Sequence, residues 1–102
     1  MNKIYSLLGL ATRSRNVVSG EFATEKAIKS GSAVMAIIST DASDNTAKLF
    51  RNMCGFYEVP LFVYGTKEEL GHAMGKEVRA SLAITNEGFA ESIRKQLEAL
   101  EQ

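Results

Sequence analysis

The hydrophobic and polar positions of this 102-residue chain follow two periods in turn, one typical of helices and the other of strands. Near the start of the chain, apolar side chains recur three and four positions apart, at Ile4, Leu7, Leu8 and Ala11. This spacing predicts an amphipathic helix over residues 2–15. Residues 33–40 instead form an apolar run, which predicts a strand buried on both faces of a sheet.

Residues 41–57 return to the helical period and begin with side chains suited to a helix cap. Asp41 or Ser43 can accept hydrogen bonds from the amides of the first turn. We therefore expect another helix in this segment. Its expected buried side consists of Thr46, Leu49, Phe50, Met53, Cys54 and Tyr57.

The rest of the chain adds two strands and two helices to the pattern. Residues 59–65 and 81–85 each predict a buried strand. Between them, Thr66 followed by Glu69 forms a capping box, which opens a short helix that stops at the glycines beyond it. Residues 86–100 predict a final helix whose buried side chains are Phe89, Ile93, Leu97 and Leu100.

Residues 16–18 predict a short strand, and residues 20–31 predict a helix between two glycines. With these two elements, helices and strands alternate from end to end. This order predicts the α/β class, as a three-layer α/β/α sandwich with a mixed four-stranded sheet and about five helices. No repeat, low-complexity tract or linker interrupts the pattern. We therefore expect residues 1–102 to form one domain.

Composition and charge narrow the expected class of protein. The formal net charge is zero, which argues against a general polyanion binder. The first 51 residues nevertheless carry a formal charge of +3 and the remaining residues a charge of −3. This uneven distribution can reflect a local basic patch or arise by chance, and both explanations remain open. The single cysteine cannot form an internal disulfide, and neither a signal sequence nor a membrane-length apolar run is visible. We expect a soluble cytoplasmic protein.

Metal, cofactor and nucleophile chemistry find little support in the sequence. One histidine and one cysteine are too few for an ordinary zinc site. We expect His72 to be solvated and Cys54 to be a buried structural thiol. The segment "GHAMGKE" does not match a phosphate-binding loop, since three residues instead of four separate its glycines and Glu77 follows the lysine. No metal or cofactor is therefore expected.

Asp41 carries the one enzymatic alternative that stays open. It follows an apolar strand, where doubly wound proteins hold functional groups. A small α/β enzyme or phosphotransfer module that uses Asp41 would need an acidic pair nearby to hold magnesium. The preceding strand supplies a single acid, so helix capping is the favoured role for Asp41.

The segment "VVSGEFATEKAIKSG" carries the strongest functional signal. On its helix, Phe22 lies between Lys26 and Lys29, on the side opposite the apolar positions. A cationic face with one aromatic ring is typical of an RNA-contacting surface, because cations meet phosphates and rings stack on bases. The structural alternative is that Phe22 packs beneath a neighbouring element. Arg13 and Arg15 precede the short strand and can flank this face.

Four blocks of the sequence together resemble one known family. In order they are "VVSGEFATEKAIKSGSAVMAIISTDASDNT", "CGFYEVP", "ELGHAMGKEVRASLAIT" and "GFAESI", and they resemble the bacterial YlxQ-type branch of the ribosomal protein L7Ae family. The resemblance extends from about residue 4 to residue 97. It implies an α/β/α sandwich that binds kink-turns, which are sharply bent RNA motifs built on sheared G·A pairs.

The resemblance also assigns roles to individual residues. The family motif Gly-x-Asn-Glu-x-x-Lys is matched here by Gly20 and Lys26, whereas Phe22 replaces its asparagine and Ala23 its glutamate. Neither replacement can accept a side-chain hydrogen bond from a G·A pair. A second RNA contact is implied in residues 76–80, where Val78 would pack on a flipped base and Arg79 would meet phosphate.

We therefore expect a monomeric, non-catalytic RNA-binding protein of the ribosome or its assembly, which recognises kink-turn-like RNA. A protein-binding domain that has lost RNA affinity remains a further alternative. The expected RNA-binding residues are Arg13, Arg15, Ser19, Gly20, Glu21, Phe22, Lys26, Lys29, Lys76, Val78, Arg79 and Ala80.

Overall fold

A computed structural model describes residues 2–100, and in these residues the chain forms five helices and four strands in the predicted order. The elements are α1 (Lys3–Arg13), β1 (Val17–Ser19), α2 (Glu21–Ser30), β2 (Met35–Ile38), α3 (Asp44–Tyr57), β3 (Leu61–Val63), α4 (Lys67–Ala73), β4 (Ser81–Ile84) and α5 (Glu87–Ala99).

The four strands form one mixed sheet in the order β1-β4-β2-β3. Strand β4 is antiparallel to both of its neighbours, whereas β2 and β3 are parallel. At the centre of the sheet, Ala36 is aligned with Ala83 on one side and with Leu61 on the other. Helices cover both faces, so the structure confirms the predicted α/β/α sandwich.

The core lies in two layers, one on each face of the sheet. Helices α1, α4 and α5 cover one face, where Leu8 packs with Ile37 of β2. Helices α2 and α3 cover the other face, where Ile28 and Phe50 pack with Ile38. Successive strand residues point to opposite faces, so β2 serves both layers and all four of its residues are buried.

Some burial predictions at the edges of elements are wrong. Leu49 is 37% exposed and Tyr57 is 41% exposed, because the buried arc of α3 is narrower than predicted and is filled by Phe50, Met53 and Cys54. Leu100 is 63% exposed because it lies at the end of α5.

The strand predicted over residues 59–65 is also less buried than expected. It forms β3, which among the described residues pairs only with β2 and so lies at the edge of the sheet. Val63 is half exposed as a result. Within residues 2–100, none of the helices is both long enough and apolar enough to span a lipid bilayer.

Candidate nucleic-acid interface

The turn from β1 into α2 depends on Gly20. Its amide donates to the Ser81 carbonyl at 2.9 Å, which continues the pairing of β1 with β4 by one residue. Its φ of +93° lies in a region that residues with side chains rarely adopt. As the N-cap of α2, Gly20 provides no side-chain cap, so amide groups of the first turn remain available to an external acceptor.

Phe22 projects from this first turn into solvent. It is 81% exposed, whereas Thr24, Ala27 and Ile28 on the opposite side of α2 are buried. The helical projection is therefore confirmed, and the alternative that Phe22 packs beneath a neighbouring element is wrong. Phe22 and Lys26 together line one wall of a shallow groove above β1.

The second predicted contact, residues 76–80, folds back along α4. The Lys76 amide donates to the Gly71 carbonyl at 2.7 Å, and the Arg79 amide donates to the Lys67 carbonyl at 3.0 Å. A side chain at Gly71 would not fit, since its Cβ would lie 2.5 Å from the backbone oxygen of Glu77. This close approach to α4 fixes the segment.

The end of the same segment presents an apolar side chain to solvent. Val78 is 54% exposed, although it lies between two residues whose backbones are held against α4. Its exposure is compatible with the predicted packing on a flipped base.

The two predicted contacts meet at one edge of the sheet. Arg79 Nε donates to Ser19 Oγ at 3.0 Å, and Ser19 directly precedes Gly20. The same guanidinium donates from NH1 to the Val78 carbonyl at 2.7 Å. Ala80 is held here as well, because its carbonyl accepts from the Ser39 amide at 2.9 Å. The start of α2 and residues 76–80 therefore form one continuous surface.

This surface carries both basic and acidic side chains, and the charge of Lys26 is not neutralised by an ion pair among the described residues. Lys29 Nζ lies 3.2 Å from Glu25 Oε2, in a pair that is largely solvent-exposed. Surface ion pairs contribute little to the free energy of folding. Lys29 can therefore leave Glu25 at little cost and contact a phosphate. The exposed acids Glu21 and Glu77 offset part of the positive charge of this surface.

Arg13 and Arg15 lie at the other end of β1 from Gly20. Helix α1 ends with the Asn16 amide bonded to the Ala11 carbonyl at 2.8 Å, and this turn places Arg15 in the left-handed conformation with φ of +62°. The turn precedes β1, whereas Gly20 follows it, so the two arginines and Gly20 are at opposite ends of this strand.

Asp41 proves to be a helix cap, although for a different helix from the one predicted. Ser43 caps α3 by accepting from the Thr46 amide at 3.1 Å. Asp41 Oδ1 instead accepts from the Lys67 amide at 2.9 Å, at the first residue of α4. This backbone hydrogen bond lowers the pKa of the Asp41 carboxyl below its ordinary value.

The remaining reactive residues are not arranged as a site. Cys54 is 3% exposed, and burial raises the pKa of its thiol. His72 is exposed on α4, as predicted. Among residues 2–100, no group of three or more histidine, cysteine, aspartate and glutamate side chains is placed to hold a metal ion.

Sequence reasoning missed two features that position this surface. Gly71 was expected only to stop α4, whereas it admits the backbone of residues 77 and 78. Ser19 was expected to contact RNA, whereas its hydroxyl also anchors Arg79.

Comparison with known proteins assigns the chain to a family. The chain belongs to the ribosomal protein L7Ae/L30e/S12e/Gadd45 family, whose sequence pattern matches residues 2–94. It is 42% identical over 89 residues to the RNA-binding protein YlxQ of Bacillus subtilis, a match that covers 87% of this chain and 89% of that protein. It is also 38% identical over 82 residues to the large ribosomal subunit protein eL30 of Methanoregula boonei, covering 76% and 79% of the two chains.

Solved structures share the fold. A Bacillus halodurans protein of unknown function superposes with a TM-score of 0.93 at 35% identity, over 96% of this chain and 99% of that one. The Giardia lamblia 15.5kD RNA binding protein superposes with a TM-score of 0.81 at 21% identity, over 95% and 86% of the two chains. The relatives named above with a function are RNA-binding or ribosomal proteins, in agreement with the expectation that the chain is not an enzyme.

Proposed function

We propose that this protein binds RNA without catalysing a reaction, and that it recognises a sharply bent, kink-turn-like motif. The observation that carries the proposal is the hydrogen bond from Arg79 to Ser19, which joins both predicted RNA contacts into one surface. The names of the YlxQ relatives support RNA as the ligand.

Each part of the surface has a distinct task in this proposal. The start of α2 offers free amides and a partial positive charge to a phosphate or a base edge. Lys26 neutralises a phosphate of the bent backbone. Val78 packs on a base that the bend turns outward, and Phe22 stacks on or shields a second base.

The absence of an acceptor at two motif positions decides how the RNA is read. Phe22 and Ala23 cannot accept hydrogen bonds from guanine, and Ala23 is partly covered. The side chains at these two positions therefore do not read the G·A pairs directly. Selectivity comes from the shape of the bend, from backbone contacts and from stacking.

The proposal extends to the cellular context of the protein. We propose that it lies in the cytoplasm and binds ribosomal RNA or an assembling ribosome. The name of one relative, large ribosomal subunit protein eL30, supports this proposal. The protein acts as a monomer, with residues 1–102 forming one domain. The remaining candidates, Arg13, Arg15, Glu21, Lys29, Lys76 and Ala80, contribute charge or backbone contacts around the central surface.

A titration with two matched RNAs tests this function. One hairpin contains a bend with tandem sheared G·A pairs, and the other replaces these with Watson–Crick pairs. We expect tighter binding to the bent hairpin, and an affinity that falls steeply as salt is raised. Equal affinity for both hairpins would contradict recognition of the bend, and no binding at low salt would contradict RNA binding itself.

Lys26→Ala provides a second arm of the same titration. Lys26 is exposed, so the variant should fold normally. Because a phosphate contact carries no sequence information, affinity should fall for both hairpins and the salt slope should decrease by about one. Lys95→Ala, which removes an exposed lysine of α5, is the matched control. Unchanged binding by the Lys26 variant would remove Lys26 from the site.

A further inference from the structure

The outward side of α3 carries an aromatic cluster that the proposed interface does not use. Lys48, Asn52 and Phe56 are spaced by four residues and so lie along one exposed ridge of the helix. Phe56 is 79% exposed, nearly as much as Phe22. Its ring lies 4.9 Å from that of Tyr57, centroid to centroid, in an edge-to-face arrangement that fixes its orientation.

Gly55, beside Phe56, is a second and independent feature of this ridge. It lies in the interior of α3 and is exposed, and a Cβ built on it would meet no atom within 4 Å beyond its chain neighbours and the backbone of its own helix. A glycine in a helix interior is destabilising relative to alanine. No neighbouring group among residues 2–100 requires a glycine at position 55, and its bare backbone lets a flat ligand approach the helix next to Phe56.

The charge around the aromatic pair is positive. Lys48 and Arg51 are exposed and make no ion pair within residues 2–100. The acidic residues of this helix region, Asp44 and Glu58, lie at its two ends. The ridge therefore combines free cations, an exposed ring and an amide, the groups that meet phosphates and bases in single-stranded RNA.

We propose that this ridge of α3 binds single-stranded RNA as a second contact. A base stacks on the free face of Phe56 above Gly55, while Lys48 and Arg51 neutralise the phosphates beside it. Stacking accepts any base, so this contact is tolerant of sequence. The ridge shares no residue with the surface that contains Phe22, and Phe56 lies near the C-terminal end of α3, about 18 Å along the helix from its first residue.

The test uses the full chain and an oligouridylate of about 16 nucleotides, which cannot form a paired bend. We expect Phe56→Ala to weaken oligouridylate binding about tenfold or more, and Lys48→Ala with Arg51→Ala to reduce the salt slope. Both variants should bind the compact bent hairpin as the wild type does. Because different residues and a different RNA are measured, failure here is distinct from failure of the proposed function.

Two further variants make the outcome decisive. Gly55→Gln should raise the melting temperature, since it replaces a helix glycine, yet it should weaken oligouridylate binding at least fivefold by covering the approach to Phe56. If the two contacts are separate, the double variant Phe22→Ala with Phe56→Ala should bind the bent hairpin as Phe22→Ala does alone, and oligouridylate as Phe56→Ala does alone. Oligouridylate affinity that stays within twofold of wild type in Phe56→Ala and Gly55→Gln would overturn the proposal.

Discussion

Arg79 Nε donates a hydrogen bond to Ser19 Oγ at 3.0 Å, although the two residues are sixty positions apart in the chain. The bond links residues 76–80 to the end of β1, one residue before α2 begins. In an RNA-binding surface, such a link determines the relative position of two contacts. Under the proposed function, a bent RNA requires both contacts at a fixed separation, so this bond would position the surface without itself reading the RNA.

Ser19→Ala tests this positioning role while leaving the charge of Arg79 in place. We expect the free energy of unfolding to fall by about 0.5–1.5 kcal/mol, the usual net contribution of one hydrogen bond. Affinity for the bent hairpin should fall several-fold, because residues 76–80 lose their anchor. Ser14→Ala, which deletes an exposed hydroxyl bonded to the Leu10 carbonyl, is the control and should leave affinity unchanged. Equal affinities in both variants would show that the link does not position the contact.

Phe22→Ala should separate RNA affinity from stability. The ring is 81% exposed, so its removal should change the free energy of unfolding by no more than about 0.5 kcal/mol. Affinity for the bent hairpin should fall by about 1–3 kcal/mol, the scale of stacking between a base and an aromatic ring. Phe50→Ala is the matched control, since removing this fully buried ring should lower the free energy of unfolding by about 3–5 kcal/mol. The account of Phe22 fails if a titration shows no loss of affinity.

Arg15 and Glu58 form a natural pair for a third test, because both end a helix in the left-handed conformation. A residue with a side chain is strained by about 1–2 kcal/mol in this conformation, and glycine relieves that strain. Glycine also stabilises the unfolded state by roughly 0.4–1 kcal/mol through its larger conformational entropy, which is the smaller of the two effects. Arg15→Gly and Glu58→Gly should therefore each raise the free energy of unfolding, by about 0.5–1 kcal/mol in a denaturant melt. We expect weaker binding to the bent hairpin for Arg15→Gly alone. Identical affinities would exclude Arg15 from the site.

Asp41 predicts a specific dependence of stability on pH. Its carboxyl pKa is lowered in the folded protein, chiefly by the Lys67 amide. A lowered pKa stabilises the fold above the unfolded value of about 3.9, and this contribution is lost as pH falls through the folded pKa. Asp41→Asn should therefore be less stable than wild type at neutral pH, with the difference shrinking in acid melts below about pH 4.

The same variant tests the enzymatic alternative. Asp41 is committed to the start of α4, so Asp41→Asn should leave affinity for the bent hairpin nearly intact. A stability difference that does not change with pH would contradict the capping role. A loss of RNA affinity in a normally folded variant would place Asp41 in the functional site.

The sequence was sufficient to predict what depends on local periodicity. The buried side of α2 and the exposure of Phe22 follow from helical spacing, and the capping box at Thr66 follows from two residues three positions apart. The limits of a buried arc depend on neighbouring elements. The exposure of Leu49 and Tyr57 was for this reason not predictable from α3 alone.

Pairs that are distant in the chain were beyond the reach of this reasoning. The Asp41 carboxylate caps α4 instead of α3 because parallel pairing of β2 and β3 brings their ends together. The bond between Arg79 and Ser19 likewise requires residues 76–80 to fold back over Gly71. No local pattern in the sequence encodes either contact.

Amide chemical shifts recorded during a titration with the bent hairpin test the central claim most directly. If the surface joined by Arg79 and Ser19 binds the RNA, the largest changes will fall in residues 19–26 and 76–80 together, with little change along the exposed ridge of α3. Changes confined to one of these segments would contradict the claim that they form a single RNA-binding surface, as would changes that avoid both.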